Sequence, residues 1–128
     1  MTAFRDDEIA VLVGDFFELS PADLSGVGAV YDRAALIALP PPLRRRYVDH
    51  MARILPHPVP MLVIGFDYDQ RRMDGPPFAV PVAELGELYG DSHAIEVVEE
   101  AEILDHEPRF RERGLTALTE YAAILRPR

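Results

Sequence analysis

Three short apolar runs, each closed by acidic residues, constrain the fold of this chain more than any other feature. Ile9-Ala10-Val11-Leu12-Val13 ends at Gly14-Asp15, Gly28-Ala29-Val30-Tyr31 ends at Asp32-Arg33, and Pro60-Met61-Leu62-Val63-Ile64-Gly65-Phe66 ends at Asp67-Tyr68-Asp69. An apolar run without polar alternation predicts a strand covered on both faces, and a charged exit marks its carboxyl end. After Pro40-Pro41-Pro42, Leu43, Tyr47, Met51 and Ile54 recur at helical spacing, with Arg44, Arg45, Asp49 and Arg53 on the other face. Pro81, Leu85, Leu88 and Tyr89 predict a second, short helix closing at Gly90. Ala94-Ile95-Glu96-Val97-Val98 and Leu118 to Leu125 predict an antiparallel closing pair, joined by a charged excursion from Asp105 to Gly114. The pattern predicts one α/β domain over residues 1–128, a three-layer sandwich around a mixed sheet. Ligands of such sheets bind outside the carboxyl ends of the strands, which directs Asp15, Asp32-Arg33 and Asp67-Tyr68-Asp69 toward one edge.

Composition removes several chemistries. With 48% hydrophobic residues in 128, the chain holds enough apolar surface for a core. It has no cysteine, so disulfides and thiolate catalysis are excluded. All 13 cations are arginine, which removes Schiff-base chemistry and a phosphate-loop lysine, and a net charge of −9 makes nucleic acid a poor partner. The apolar stretch from Ala34 to Leu43 is broken by prolines and falls short of the ~20 residues that span a bilayer, so no membrane partner is expected. The acidic start at Asp6-Asp7-Glu8 does not fit a secretory signal, and a cytoplasmic location is expected. His50, His57, His93 and His106 lack ligand spacing and read as surface or helix histidines, so no metal is expected. No Gly-x-Ser-x-Gly elbow or phosphate loop is present. The run Glu99-Glu100-Ala101-Glu102 reads as a solvated face.

Motif order carries further. Gly14-Asp15-Phe16-Phe17, Tyr31-Asp32-Arg33-Ala34-Ala35-Leu36, Tyr47, Tyr68-Asp69, Gly75-Pro76-Pro77-Phe78, Leu88-Tyr89-Gly90 and Arg109 through Gly114 follow one another nearly end to end. In these residues the chain resembles the thiopurine S-methyltransferase family, enzymes with a Rossmann-like sheet that use S-adenosylmethionine. The resemblance implies a partial Rossmann-like methyltransferase sheet and a small substrate: an aromatic or heterocyclic thiol, or a selenium or tellurium compound. It implies that Asp15 and Phe16 border the adenine of the cofactor. Arg33 would lie between cofactor and substrate as the catalytic cation, stabilising a developing thiolate. Arg109, Pro76, Pro77 and Phe78 would bind the substrate. No general base is needed for such a transfer, since thiols ionise near neutral pH and the work is alignment.

The residues alone leave other roles open. Asp15 suits a strand-end turn, Arg33 an ion pair with Asp32 or Asp69, Pro76-Pro77 a structural corner, and two of Arg109, Arg111 and Arg113 plain solvation. Family members carry a lid, a glycine-containing cofactor turn and an acidic ribose ligand ahead of the segment that opens this sequence. The expectation is therefore weak cofactor affinity in an isolated monomer, and an exposed edge on the second strand leading to a homodimer or a shifted first strand. The alternative function is a non-catalytic binding module, or a half-domain completed by a second chain.

Overall fold

The computed structural model describes residues 1–128. Its main sheet has four strands: β3 (Val30–Asp32), β4 (Met61–Asp67), β5 (His93–Glu102) and β6 (Thr119–Pro127), in the order β3-β4-β6-β5. The β3–β4 pair is parallel, while β4–β6 and β5–β6 are antiparallel, so the expected mixed sheet with an antiparallel closing pair is present. Helix α1 (Pro41–Ile54) connects β3 to β4, and α2 (Val82–Tyr89) connects β4 to β5. Proline in the first turn of α1 occupies a position whose N–H has no helical partner, and Leu55 turns extended ahead of Pro56 to end it.

Strand alternation decides what the sheet buries. Met61, Val63 and Gly65 point to the face that also carries Tyr121, Ala123 and Leu125, and these pack with Leu36, Tyr47, Val48, Leu85 and Tyr89 in the principal core. Gly65 is required here by packing, because an added Cβ would overlap the ring of its cross-strand partner Tyr121. That ring is held in place by its hydroxyl, which donates to Val80 O at 2.6 Å. A second core of Tyr68, Met73, Ala79, Leu104, Leu115 and Leu118 ties the loop after β4 to α3 (Pro108–Glu112).

The other face of the sheet departs from the reading of β4 as covered on both sides. Leu62 is 37% and Tyr31 62% exposed. On this face α3 reaches only the carboxyl end of β4, where the Phe66 and Phe110 rings lie 6.5 Å apart.

Four local corrections concern polar residues and the first strand. The run Ile9–Val13 is not a buried strand of the main sheet. Residues Ala10–Val13 form β2, paired antiparallel with β1 (Thr2–Arg5) in a separate hairpin, with Ile9, Val11 and Val13 more than half exposed. This is the shifted first strand. Its turn is closed by Asp6, whose Oδ1 accepts from Glu8 N at 2.8 Å and Ile9 N at 2.6 Å, and these bonds hold the Asp6 pKa below the ordinary carboxylate value. Arg44, placed by periodicity on the solvent face, is 1% exposed, because Glu84 of α2 pairs with it and Leu39 O accepts from it at 3.0 Å. His93 is neither a surface nor a helix residue: it is buried in β5, between Ser92 Oγ at 2.7 Å and Val59 O at 2.8 Å. Glu102 is not merely solvated, since its carboxylate accepts from Leu104 N at 2.8 Å and Leu118 N at 3.0 Å, closing the end of the β5–β6 pair. No helix is long and apolar enough to cross a membrane.

Candidate functional site

The first motif reaches α1 although its strand stands apart from the sheet. Asp15 caps a 3-10 turn at Phe16–Glu18, its Oδ1 accepting from Phe17 N at 2.9 Å. Its Oδ2 makes no hydrogen bond, and the residue is exposed. The turn lays the half-buried Phe16 ring 5.0 Å from Tyr47 and 5.3 Å from His50. His50 Nε2 donates to Leu19 O at 3.0 Å, which anchors the segment from its far side.

The second motif is organised by Asp32. This carboxylate is 4% exposed and accepts from Ala35 N and Leu36 N, each at 3.2 Å, and from the Tyr47 hydroxyl at 2.8 Å. Burial, followed by the nearby Asp32 charge, pushes the Tyr47 pKa well above the ordinary phenol value, so the hydroxyl remains a donor. Arg33 follows directly and is exposed, with no salt bridge. Neither partner open to it from the sequence is engaged with it. Asp32 is filled by backbone and Tyr47, and Asp69 is held by Arg71 at 3.0 Å, with Arg72 at 3.9 Å. Those arginines depress the Asp69 pKa, with the Arg71 side chain the largest cause.

The third motif docks onto the second. Phe78 N donates to Ile37 O at 2.6 Å, joining the Gly75-Pro76-Pro77-Phe78 corner to the segment that begins at Arg33. The Gly75-Pro76 and Pro76-Pro77 peptide bonds are both cis, and the Phe78 ring lies so close to Gly75 that an added Cβ would overlap it. Tyr68, at the β4 exit, donates through its hydroxyl to Pro77 O at 2.6 Å. The structure therefore joins Asp15-Phe16, Asp32-Arg33 and Pro76-Pro77-Phe78 through contacts at Tyr47 and Ile37.

Arg109 stands less close. It lies on α3 with its side chain 80% exposed, 3.9 Å from Glu107 and 5.7 Å from the Phe110 centroid. Of its neighbours, Arg111 pairs with Asp105 at 2.6 Å, whereas Arg113 donates to Asp74 O at 2.5 Å and so reaches the proline corner. The expectation that at least two of these three arginines are merely solvated does not hold for Arg111 and Arg113, and the sequence does not set Arg113 apart from the others. Spacing alone could not have done it, because alternation at positions 109, 111 and 113 suggests an extended segment, whereas Pro108 at a first-turn position marks the short helix observed.

Two clefts lie elsewhere. One of about 170 Å³ runs between α1, α2 and the start of β5, with Arg45, Met51, Tyr89 and His93 among its walls, and contains none of Asp15, Phe16, Arg33, Pro76, Pro77, Phe78 and Arg109. The other is lined by Phe17, Arg46, Asp49, His50 and Arg53, with the Arg46 guanidinium 4.6 Å over the Phe17 ring.

In sequence, known proteins are similar to the chain along nearly its whole length. The family model for thiopurine S-methyltransferase matches residues 1–128. A thiopurine S-methyltransferase of Nitrosospira multiformis is 47% identical over 122 residues, covering 95% of this chain and 56% of that protein. One from Methylococcus capsulatus is 43% identical over 119 residues, covering 93% and 54%, and one from Pseudomonas paraeruginosa is 46% identical over 122, covering 95% and 56%. The chain spans about half the length of the curated relatives it matches. With its motifs in order, a mixed Rossmann-like sheet and this similarity from end to end, the chain belongs to the thiopurine S-methyltransferase family.

Proposed function

We propose that this chain carries the substrate-facing part of an S-adenosylmethionine-dependent S-methyltransferase, acting on an aromatic or heterocyclic thiol or on a selenium or tellurium compound. Relatives named thiopurine S-methyltransferase support the reaction class. The residues present fit the adenine end of that cofactor: Asp15 Oδ2 is an uncommitted acceptor for an exocyclic amine, and the Phe16 ring offers an apolar edge beside it. When bound, S-adenosylmethionine supplies a methyl group on a sulfonium that is already activated. The chain's own task is then to hold a thiolate in line and exclude water. Pro76, Pro77 and Phe78 form a stiff apolar wall suited to a flat ring. Arg109, exposed on α3, supplies a second cation for the substrate side.

The observation that carries the reading is Arg33. An arginine without an acidic partner, beside a buried and fully occupied carboxylate, keeps its whole charge available to a thiolate. The test is transfer of labelled methyl from S-adenosylmethionine to thiophenol. Arg33→Ala is expected to lower kcat/KM by about 10²–10³, the usual range for losing one charge-stabilising donor. Equal turnover in the substituted chain would remove Arg33 from the reaction.

One observation favours a second reading, a half-domain completed by a second chain, including a second copy paired through the free edge of β3. The sheet face holding Tyr31 and Leu62 is open, and the β1–β2 hairpin presents Phe4, Val11 and Val13. Light scattering on the assay sample separates the two readings. Transfer by a monomer favours the first. Transfer only in a dimeric fraction, or none by the unsubstituted chain, favours the second.

A further inference from the structure

The proline corner owes its shape to a side chain that no motif marks. Gln70 begins the 3-10 turn Gln70–Arg72 after β4 and is an exposed residue, yet both amide hydrogens and the amide oxygen are engaged by the loop. Nε2 donates to Tyr68 Oη at 2.9 Å and to Met73 O at 2.7 Å, while Oε1 accepts from Ala79 N at 2.9 Å. Tyr68 in turn donates to Pro77 O at 2.6 Å, and Phe78 N donates to Ile37 O at 2.6 Å. The amide orientation is fixed by this set, since only a donor suits Met73 O and only an acceptor suits Ala79 N.

We infer that Gln70 is a positioning residue for the substrate wall: one amide spans the loop from Met73 to Ala79 and, through Tyr68, sets where Pro77 and Phe78 stand relative to Arg33. The inference deepens the function proposed above and rests on it for the identity of the substrate, a flat aromatic thiol. Two features separate this role from ordinary loop packing. The bonds close a span of ten residues, Gln70 to Ala79, that contains Pro76, Pro77 and Phe78 and no regular strand or α-helix. The only polar link from the amide to the wall itself runs through one hydroxyl, which must donate to Pro77 O while it accepts from Nε2. A carboxylate of the same shape breaks that direction. In Gln70→Glu, Ala79 N keeps an acceptor, Met73 O faces a second acceptor, and the Tyr68 hydroxyl turns to donate to the new carboxylate, releasing Pro77 O.

Amide hydrogen exchange on the 128-residue chain tests this. In Gln70→Glu, exchange at Phe78 is expected to rise at least tenfold while Val63 and Ala123, in the sheet core, keep their rates. Tyr68→Phe removes the hydroxyl's bonds to Pro77 O and from Gln70 Nε2 but leaves the Gln70–Ala79 bond, and is expected to speed Phe78 while leaving Ala79 protected. Unchanged exchange at Phe78 in both variants would overturn the inference, as would equal acceleration of the sheet core in both, which would mark a general loss of stability. Thiophenol titration of the same proteins then reads the substrate side. If Gln70→Glu raises the apparent Kd tenfold, the wall is shaped for the ring. An unsubstituted chain that binds no aromatic thiol counts against the proposed function alone, and the exchange rates still decide the role of Gln70.

Discussion

Replacing Glu84 with alanine is expected to destabilise the chain by about 3–5 kcal/mol, the range seen when one partner of a buried ion pair is removed. Glu84 is a quarter exposed, but Arg44 beneath it is 1% exposed. Without Glu84 the guanidinium keeps only the Leu39 carbonyl, and its Nε already lacks a partner. The reverse deletion differs: Arg44→Met refills the volume with apolar atoms and leaves a glutamate that solvent reaches, so the loss should fall well below that of Glu84→Ala. The double replacement Arg44→Met with Glu84→Leu should recover most of the stability, since a packed apolar pair avoids the desolvation of two charges. Urea denaturation decides this through the midpoints of the variants. Equal midpoints for Glu84→Ala and the unsubstituted chain would mean that Arg44 finds water in solution and that the α1–α2 contact does not depend on the pair.

Asp32→Ala should cost roughly 3 kcal/mol or more, because one buried carboxylate serves three donors and bonds to a charged acceptor contribute about 1.5–3 kcal/mol each before relaxation. The comparison with Tyr47→Phe is informative. That change removes one donor and leaves Asp32 its two backbone N–H groups, so a smaller loss, about 1.5–2 kcal/mol, is expected. The difference measures how much Asp32 does for the backbone at Ala35 and Leu36, the stretch that carries Arg33 and continues to Ile37. A local role predicts that Asp32→Ala also weakens the Ile37–Phe78 bond, since both belong to the same turn. Equal urea midpoints for the two variants would place the stabilisation in the hydroxyl alone and leave Arg33 without this support.

The elements of the main sheet were legible because each has a pattern that physics enforces locally. The spacing of Tyr47, Met51 and Ile54 gives α1, the apolar run after Pro60 gives β4, and Gly90 ends α2 as expected. The failures share a different cause, since they concern partners. Ile9–Val13 has strand composition, but which strand it joins is set by the turn at Asp6, which folds Ala10–Val13 back onto Thr2–Arg5. Arg44 has a charged side chain at a helical position that periodicity assigns to solvent, and only Glu84, forty residues on, makes burial tolerable. His93 is likewise explained by a carbonyl 34 residues away.

Within the candidate site, the three motifs were visible because their residue types are unusual in order and combination. Their joining was visible only in part. The sequence directs the strand exits toward one edge, yet Asp15 arrives there from a hairpin outside the sheet, through Phe16 against Tyr47. Gln70 had no signal, and Arg113 stood only within a motif segment and as one of three alternating arginines. A glutamine after Asp69 or an arginine before Gly114 is ordinary in a polar loop, and their importance comes from carbonyls that the folded loop turns inward.

In the proposed function, the segment bearing Arg33 and the Pro76-Pro77-Phe78 corner together form the thiol-binding face. The most direct measurement is a nuclear magnetic resonance titration of the isotope-labelled chain with thiophenol. Saturable shifts concentrated in the amides of Arg33, Ile37 and Phe78, lost in Arg33→Ala, are expected. Shifts confined to the cleft between α1 and α2, at residues such as Met51, Tyr89 and His93, or no saturable shift at all, would contradict that assignment.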